Sequence, residues 1–202
     1  MSFIDYDLMS KTTDIRIVKT KRIIHASIIE LLKTKALSDI SITELCQTAM
    51  INRKTFYMHY KTIEDAFSDI ETLTIEAYTT RLIKLGILSS QDFKPAEFIL
   101  ATNLMVNENI EKFETVYPYF KDGGFMRKFG AAMGTLAQSF VTRRPFESDP
   151  EAYAFSFIFT ACGLITSYFD WIDFGKQLSI ERLSQMAANA LSIPLRTVLS
   201  SK

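Results

Sequence analysis

Between Ser41 and Lys61 the chain reads SITELCQTAMINRKTFYMHYK, two short segments of helical spacing separated by a turn of about four residues, Thr48 to Ile51. No other stretch limits the fold so tightly. Ser41 followed by Glu44 forms a capping-box pattern that starts a helix at Ile42, and Ile42, Leu45 and Ala49 share its inner face. Asn52 is placed to cap a further helix from Arg53 to about His59, on which Phe56 and Tyr60 lie four apart and face the core. The turn carries no glycine, so Met50 occupies a position that favours a permissive residue. Two helices so joined form a helix-turn-helix, in which one helix supports and the other enters the DNA major groove.

The charge distribution agrees with this placement. The formal net charge is zero, but Met1–Thr62 carries ten Lys/Arg against six Asp/Glu, a balance of +4, and residues 63–202 carry the compensating −4. Arg53, Lys54, Thr55, Tyr57, His59 and Lys61 crowd the second helix and its end, a set of donors suited to base edges and phosphate oxygens. Upstream, a helix beginning after Thr12, Thr13 or Asp14 and running to about Lys33 presents Ile17, Ile24, Ile28, Leu31 and Leu32 as one apolar face. Arg16, Lys19, Lys21 and Arg22 gather near its start, within reach of phosphates or simply solvated. Thr62, with Asp65 three residues on, can cap the next helix.

Aromatic and apolar content supports an all-α protein with a large core: 48% of the 202 residues are apolar, with sixteen Phe and eight Tyr, and seven Gly and five Pro interrupt them. Cys46 and Cys162 lack metal-ligand spacing and read as reduced thiols of a cytosolic protein. His25 and His59 make no metal or catalytic cluster, and no nucleophile elbow, phosphate loop or dinucleotide fingerprint occurs. These patterns predict no enzyme, no metal and no cofactor. The N-terminus has no secretory pattern. The uncharged run from Ala152 to Phe169 contains Ser156, Thr160, Gly163, Thr166 and Ser167 and lacks flanking cations, so it reads as a helix buried in protein, with no membrane partner expected.

The stretch from about Ile15 to Phe67, with KTKRIIHASIIELLK and then ISITELCQTAMINRKTFYMHYKTIEDAF, resembles the DNA-binding domain of the TetR family of transcriptional regulators. The resemblance implies a phosphate contact for Thr43, groove-facing roles for Arg53 and Thr55, phosphate or groove contacts for Tyr57 and His59, and a phosphate-binding role for Lys61. The Arg53 fork is suited to guanine. Phe56 and Tyr60 match core positions. Lys54 departs from the small residue or proline common there, and either adds a contact or points to solvent. Ile63 replaces a frequent polar residue. The later GLITSYFDWIDFGKQLSIERL resembles a TetR subgroup that includes activators of dihydroxyacetone-kinase operons.

Residues 1–62 are accordingly expected to form the tail and DNA-binding domain, and 63–202 a helical regulatory and dimerisation domain. Expected helices are Ile63–Leu85 ending at Gly86, Ala96–Glu108 opened by Pro95 and Ile110–Tyr117, read as two helices or one broken one and stopped by Pro118 and the Asp122-Gly123-Gly124 turn, then Phe125–Thr142, Glu151–Phe174 ending at Gly175, and Ile180 to about Ser192 before Pro194. The resemblance implies a homodimer built on the last two helices, with Phe157, Ala161, Leu164, Tyr168, Leu183, Met186 and Ala190 as interface candidates. Met105, Phe113, Tyr117, Phe129, Met133, Phe155 and Phe159 are candidates for lining an effector cavity, although such stripes are also ordinary core. The expected function is a repressor released from a palindromic DNA operator by an apolar or weakly polar small molecule. The alternative is a regulator or activator controlled by docking of a partner protein.

Overall fold

The computed structural model describes residues 4, 6, 14–86, 95–122, 124–143 and 150–199. Among these residues the chain forms nine α-helices and a short 3-10 turn (Leu37–Asp39), with no strand: α1 (Ile15–Leu32), α2 (Ile42–Thr48), α3 (Arg53–Tyr57), α4 (Ile63–Lys84), α5 (Pro95–Asn107), α6 (Ile110–Asp122), α7 (Phe125–Arg143), α8 (Pro150–Asp173) and α9 (Ile180–Leu199). The all-α class read from the sequence is the observed one. Two compact units result: Met1–Ala77 with Glu111–Phe125, and Tyr78–Ile110 with Met126–Lys202. The α4 helix runs through the boundary at 77/78 and supplies residues to both.

In the first unit, local signals set the helix ends. Asp14 caps α1 by accepting from the Arg16 N–H at 2.8 Å; Thr12 and Thr13, the other cap candidates, lie outside the described residues. Ser41 accepts from the Glu44 N–H at 3.2 Å to start α2, but the Glu44 carboxylate turns to Lys35 at 2.6 Å. Thr62 and Asp65 close a reciprocal capping box at the start of α4, the Asp65 N–H to Thr62 Oγ1 at 3.1 Å and the Thr62 N–H to Asp65 Oδ2 at 3.2 Å. The buried stripe of α1 is Val18, Ile24, His25, Ile28 and Leu32, whereas Ile17 is exposed and Leu31 half-buried. Val18, His25 and Leu32 repeat every seven residues, which leaves Ile17 about a quarter-turn off that stripe.

On α6, Val116 and Phe120 are fully buried and four residues apart. Their shared packing carries the helix on to Asp122 through Pro118, where the sequence predicted a stop. The proline removes one backbone donor, but its own side is exposed. Phe67 on α4 packs against Tyr119 and Phe120 at centroid distances of 5.5 and 6.1 Å, and the Leu37 N–H donates to the Tyr119 hydroxyl at 3.1 Å.

The second unit is built around α5, α7, α8 and α9. Phe98 on α5 meets Phe157 on α8 edge-on at 5.6 Å, Tyr78 packs on Phe129 at 5.5 Å, and α5 lies along α9. Gly130 and Gly134 on α7 face α8 without being required for its approach: a Cβ at Gly130 would stand 3.9 Å from Cys162 Sγ and one at Gly134 3.9 Å from Ile158 Cδ1, ordinary contact distance. Gly175, at φ +72°, ends α8 with Gly175 N–H to Ile172 O and Lys176 N–H to Trp171 O, both 2.9 Å. At the other end of the chain α9 runs through Pro194 to Leu199, beyond the predicted stop near Ser192. A twenty-residue helix has enough intact backbone bonds to absorb the one that Pro194 lacks.

By length and composition Ala154–Asp173 could cross a membrane. Its buried Phe157, Ala161, Leu164 and Tyr168 instead form part of the second unit's core.

Candidate nucleic-acid interface

The turn between α2 and α3 is a tight reversal. Met50 N–H bonds to Gln47 O at 3.1 Å and Ile51 N–H to Cys46 O at 3.0 Å, the paired bonds of a Schellman end, and the reversal puts Met50 at φ 50°. A side chain in this left-handed region costs about 1 kcal/mol, and here it projects into solvent with 92% of its surface exposed. Asn52 then caps α3, accepting at one carboxamide oxygen from the Thr55 N–H (2.7 Å) and the Thr55 hydroxyl (2.9 Å). Thr55 is thus half-buried and its proton is committed to the cap.

Arg53 and Lys54 are exposed on the first turn of α3, Lys61 is exposed just beyond it, and Thr43 is exposed on α2. None of these three cations makes an ion pair among the described residues. Tyr57 is half-exposed, with its ring edge-on to the buried Phe56 at 5.6 Å. His59 is half-buried, and partial burial, with the nearby Lys21 charge, lowers its pKa from 6.5. It is therefore a neutral hydrogen-bonding group near pH 7. Ile63, for which the sequence offered no role, is buried at the start of α4.

Beneath α3 lies a buried polar relay that the sequence reading missed. The Tyr60 hydroxyl stands 2.6 Å from Asp69 Oδ2 and 2.8 Å from His25 Nε2; His25 Nδ1 is 3.0 Å from the Tyr6 hydroxyl; Lys21 Nζ is 2.8 Å from Asp69 Oδ2. Burial by itself would raise the Asp69 carboxyl, but hydrogen bonds from His25, Lys21 and Tyr60 overcome it and hold the group well below the usual carboxylate range. Since ionised Asp69 only accepts, Tyr60 must donate to it and accept from His25 Nε2–H. Neutral His25 is then left with Nδ1 as acceptor for the Tyr6 proton, so every proton in the relay is placed. Burial also pushes the His25 pKa down, against the raising effect of Asp69.

The relay joins Tyr60, three residues past the end of α3, to α1, α4 and Tyr6. Lys21, with its ammonium 5.2 Å over the Tyr60 ring, is thereby held away from the phosphate role open to it in the sequence. Arg22 sits 5.7 Å over the Tyr6 ring, and Arg16 and Lys19 remain exposed. The one available signal was His25 itself, a polar residue in an apolar stripe that needed buried partners.

Two groups of candidates in the second half of the chain require correction. Phe157, Ala161, Leu164, Tyr168 and Leu183 are buried in the chain's own core and are not free to meet a partner; Met186 is 46% exposed, and the Ala190 side chain lies outside the described residues. The outward face of α8 instead carries Phe155, Phe159, Gly163, Thr166 and Asp170. Phe155 and Phe159, expected to line a cavity, are 71% and 66% exposed and stack on each other at 6.2 Å. Of the remaining cavity candidates, Phe113 and Tyr117 count with the first unit, and Met105, Phe129 and Met133 with the second. None of the seven lines the cleft of about 450 Å³ that Leu37, Glu64, Phe67, Ser68, Pro118 and Tyr119 border in the first unit.

A capped helix-turn-helix pinned to its supporting helices, together with a second all-helical unit, defines an all-α class of folds. Within that class the fold is the one found in TetR-family regulators. The dihydroxyacetone kinase operon activator DhaS is similar to this chain with a TM-score of 0.57 and 19% identity, over 88% of this chain and 97% of that one. A Clostridium perfringens protein described as a regulator of fatty acid metabolism gives 0.54 and 14% identity, over 84% and 96%. A protein of Mesorhizobium loti MAFF303099 described as a TetR-family transcriptional regulator gives 0.54 and 14%, over 89% and 96%. No family model and no curated protein matches the chain.

Proposed function

We propose that this chain is a sequence-specific DNA-binding transcriptional regulator of the cytosol, without enzymatic activity, acting as a homodimer on a palindromic operator. The observation that carries this reading is the arrangement of α3 and the residues just after it: Phe56 and Tyr60 are buried and fixed, while Arg53, Lys54 and Lys61 stand exposed with no ion pair among the described residues. Arg53 is the group to read a base edge, and Lys61 and Thr43 the groups to hold phosphates, with Tyr57 and His59 at groove or phosphate edges. One helix of five residues reads only a few base pairs, so two copies related by a two-fold axis are needed for specificity. The exposed Phe155 and Phe159 of α8 and Met186 of α9 supply an apolar face for that second copy.

The second unit is the seat of control. A small molecule that binds the DNA-incompetent state more tightly than the competent one releases the operator, and the protein then acts as a repressor. A second reading, an activator controlled by a docked partner protein, draws on Leu100 and Leu104, exposed one turn apart on α5, and on the activator among the similar structures.

Selection of genomic fragments, including those around the protein's own gene, tests the DNA reading directly. With a selected palindrome, Arg53→Ala relaxes discrimination at defined positions. Lys61→Ala weakens all sequences alike and lowers the salt slope by about one. Two variants indistinguishable from wild type would refute the assignment.

A further inference from the structure

One face of α4 forms a wall of the cleft in the first unit. Glu64, Phe67, Ser68 and Glu71 fall at i, i+3, i+4 and i+7, a spacing that puts them on one side of the helix, and all four border the cleft. The rest of the lining is Pro118 and Tyr119 of α6, together with Leu37 of the 3-10 turn. These walls are tied to one another: the Leu37 N–H donates to the Tyr119 hydroxyl at 3.1 Å, and Phe67 meets Tyr119 edge-on at 5.5 Å. The space they border, about 450 Å³, falls within the range of small-molecule sites, about 300–1,000 Å³.

Both charged groups on this lining are carboxylates, and no Lys, Arg or His borders it. Glu71 is 5% exposed while Glu64 is open to solvent, so the negative charge extends from the wall to the rim. Seven residues at about 1.5 Å each set the two roughly 10 Å apart along the helix. Apart from the Ser68 hydroxyl, the remaining lining is apolar or aromatic. An anion here would meet two like charges, and a neutral chain would take water from the carboxylates without supplying a charge in return. An ammonium only donates and a carboxylate only accepts, so the two match. A metal ion is a poor occupant, because hard cations take about six oxygens or more and no group of three metal-ligating side chains occurs among the described residues. The lining suits a molecule with a cation at each end and an apolar stretch between, and its aromatic surface adds to the attraction for cations.

We propose that this cleft binds an aliphatic diamine, with one ammonium at Glu71, the other at Glu64, and the alkyl chain against Phe67, Pro118 and Tyr119. The site lies wholly within the first unit, apart from the control assigned to the second. Its occupancy is independent of DNA recognition, so a chain that retains no operator can still bind the diamine.

The test is calorimetric titration of the full chain, near pH 7 and at low salt, with straight-chain diamines from butane-1,4-diamine to decane-1,10-diamine, and with the monoamine and dicarboxylate of each length. At least one diamine is expected to bind saturably, one per chain, with its monoamine about threefold weaker or more. Glu64→Gln should weaken that diamine by about threefold or more. Glu71→Gln should weaken it by about tenfold or more, because the bond lost there is a charge-assisted one away from water. If circular dichroism shows that Glu71→Gln does not fold, Glu64→Gln carries the comparison. Asp170→Asn, which removes an exposed carboxylate of the second unit, should leave binding unchanged. No saturable diamine binding, a monoamine or dicarboxylate as tight as the diamine, wild-type affinity in either glutamate variant, or an equal loss in Asp170→Asn would overturn the proposal.

Discussion

Removing one oxygen from the relay under α3 tests how that helix is held. In Tyr60→Phe the ring still fills its site beside Phe56, 6.1 Å between centroids, but Asp69 loses a 2.6 Å donor and His25 Nε2–H loses its 2.8 Å acceptor. A hydrogen bond to an ionised partner contributes about 1.5–3 kcal/mol, and a stranded buried donor adds to the loss. Asp69 Oδ2, 3.5 Å from His25 Nε2, offers partial rescue, and Lys21 keeps its ion pair with the carboxylate. The net loss is therefore about 2–3 kcal/mol, which for a chain of this size lowers Tm by about 5–10 °C. Circular dichroism melts of Tyr60→Phe, Asp69→Asn and the double variant measure it. The single variants should be non-additive by about 1 kcal/mol or more, since they break one bond in common. A Tm within about 1 °C of wild type, or additivity within about 0.5 kcal/mol, would refute the relay as a determinant of this unit.

The same relay sets a pH response. His25 has a folded pKa below the ordinary 6.5, so its contribution is complete above pH 6.5 and is lost as pH falls from there toward the folded pKa, at no more than about 1.4 kcal/mol per pH unit. Asp69 stays ionised throughout that window, so melts between pH 7.5 and 5.5 should show a falling Tm, and an unchanged or rising Tm attributable to His25 would contradict the buried neutral imidazole. At the left-handed Met50, glycine relieves about 1 kcal/mol of backbone strain and gives up a similar amount in unfolded-chain entropy, while a β-branched residue worsens the strain. The expected order of Tm is Met50→Gly at or above wild type and Met50→Val below it; the reverse order would count against the Schellman turn. On the outward face of α8, Phe159→Asp should shift the sedimentation mass from twice 23.1 kDa to 23.1 kDa at micromolar concentration, and a persistent dimer would place the interface elsewhere.

Much of the candidate interface was legible because its determinants are local. A cap needs a side chain two or three residues from the amide it serves, so Ser41, Asn52 and Thr62 could be placed from spacing and Asp14 narrowed to one of three neighbours, and each accepts its expected type of bond. Met50 stood out for the same reason: a turn of that length demands a left-handed residue, and no glycine was there to take it. In α8 the same method failed. With no charge from Ala152 to Phe169, periodicity gave no direction to the helix, and the stripe Phe157, Ala161, Leu164 and Tyr168 was assigned to a partner when it faces the chain's own core. Which side of an almost uniformly apolar helix is covered depends on α5 and α7, distant in sequence.

By itself, then, the sequence determined where the helices of the first unit begin, the strained turn and the basic face of α3, all products of contacts within a few residues along the chain; it did not determine that α6 and α9 continue through Pro118 and Pro194. Tertiary structure decided what those helices are fixed to. Asp69 reaches His25 and Tyr60 only because α4 crosses behind α1 and α3, and Lys21 leaves the candidate phosphate contacts because that carboxylate is there to bind it. Buried polar bonds join partners brought together by packing, and no periodicity along the chain records who those partners are.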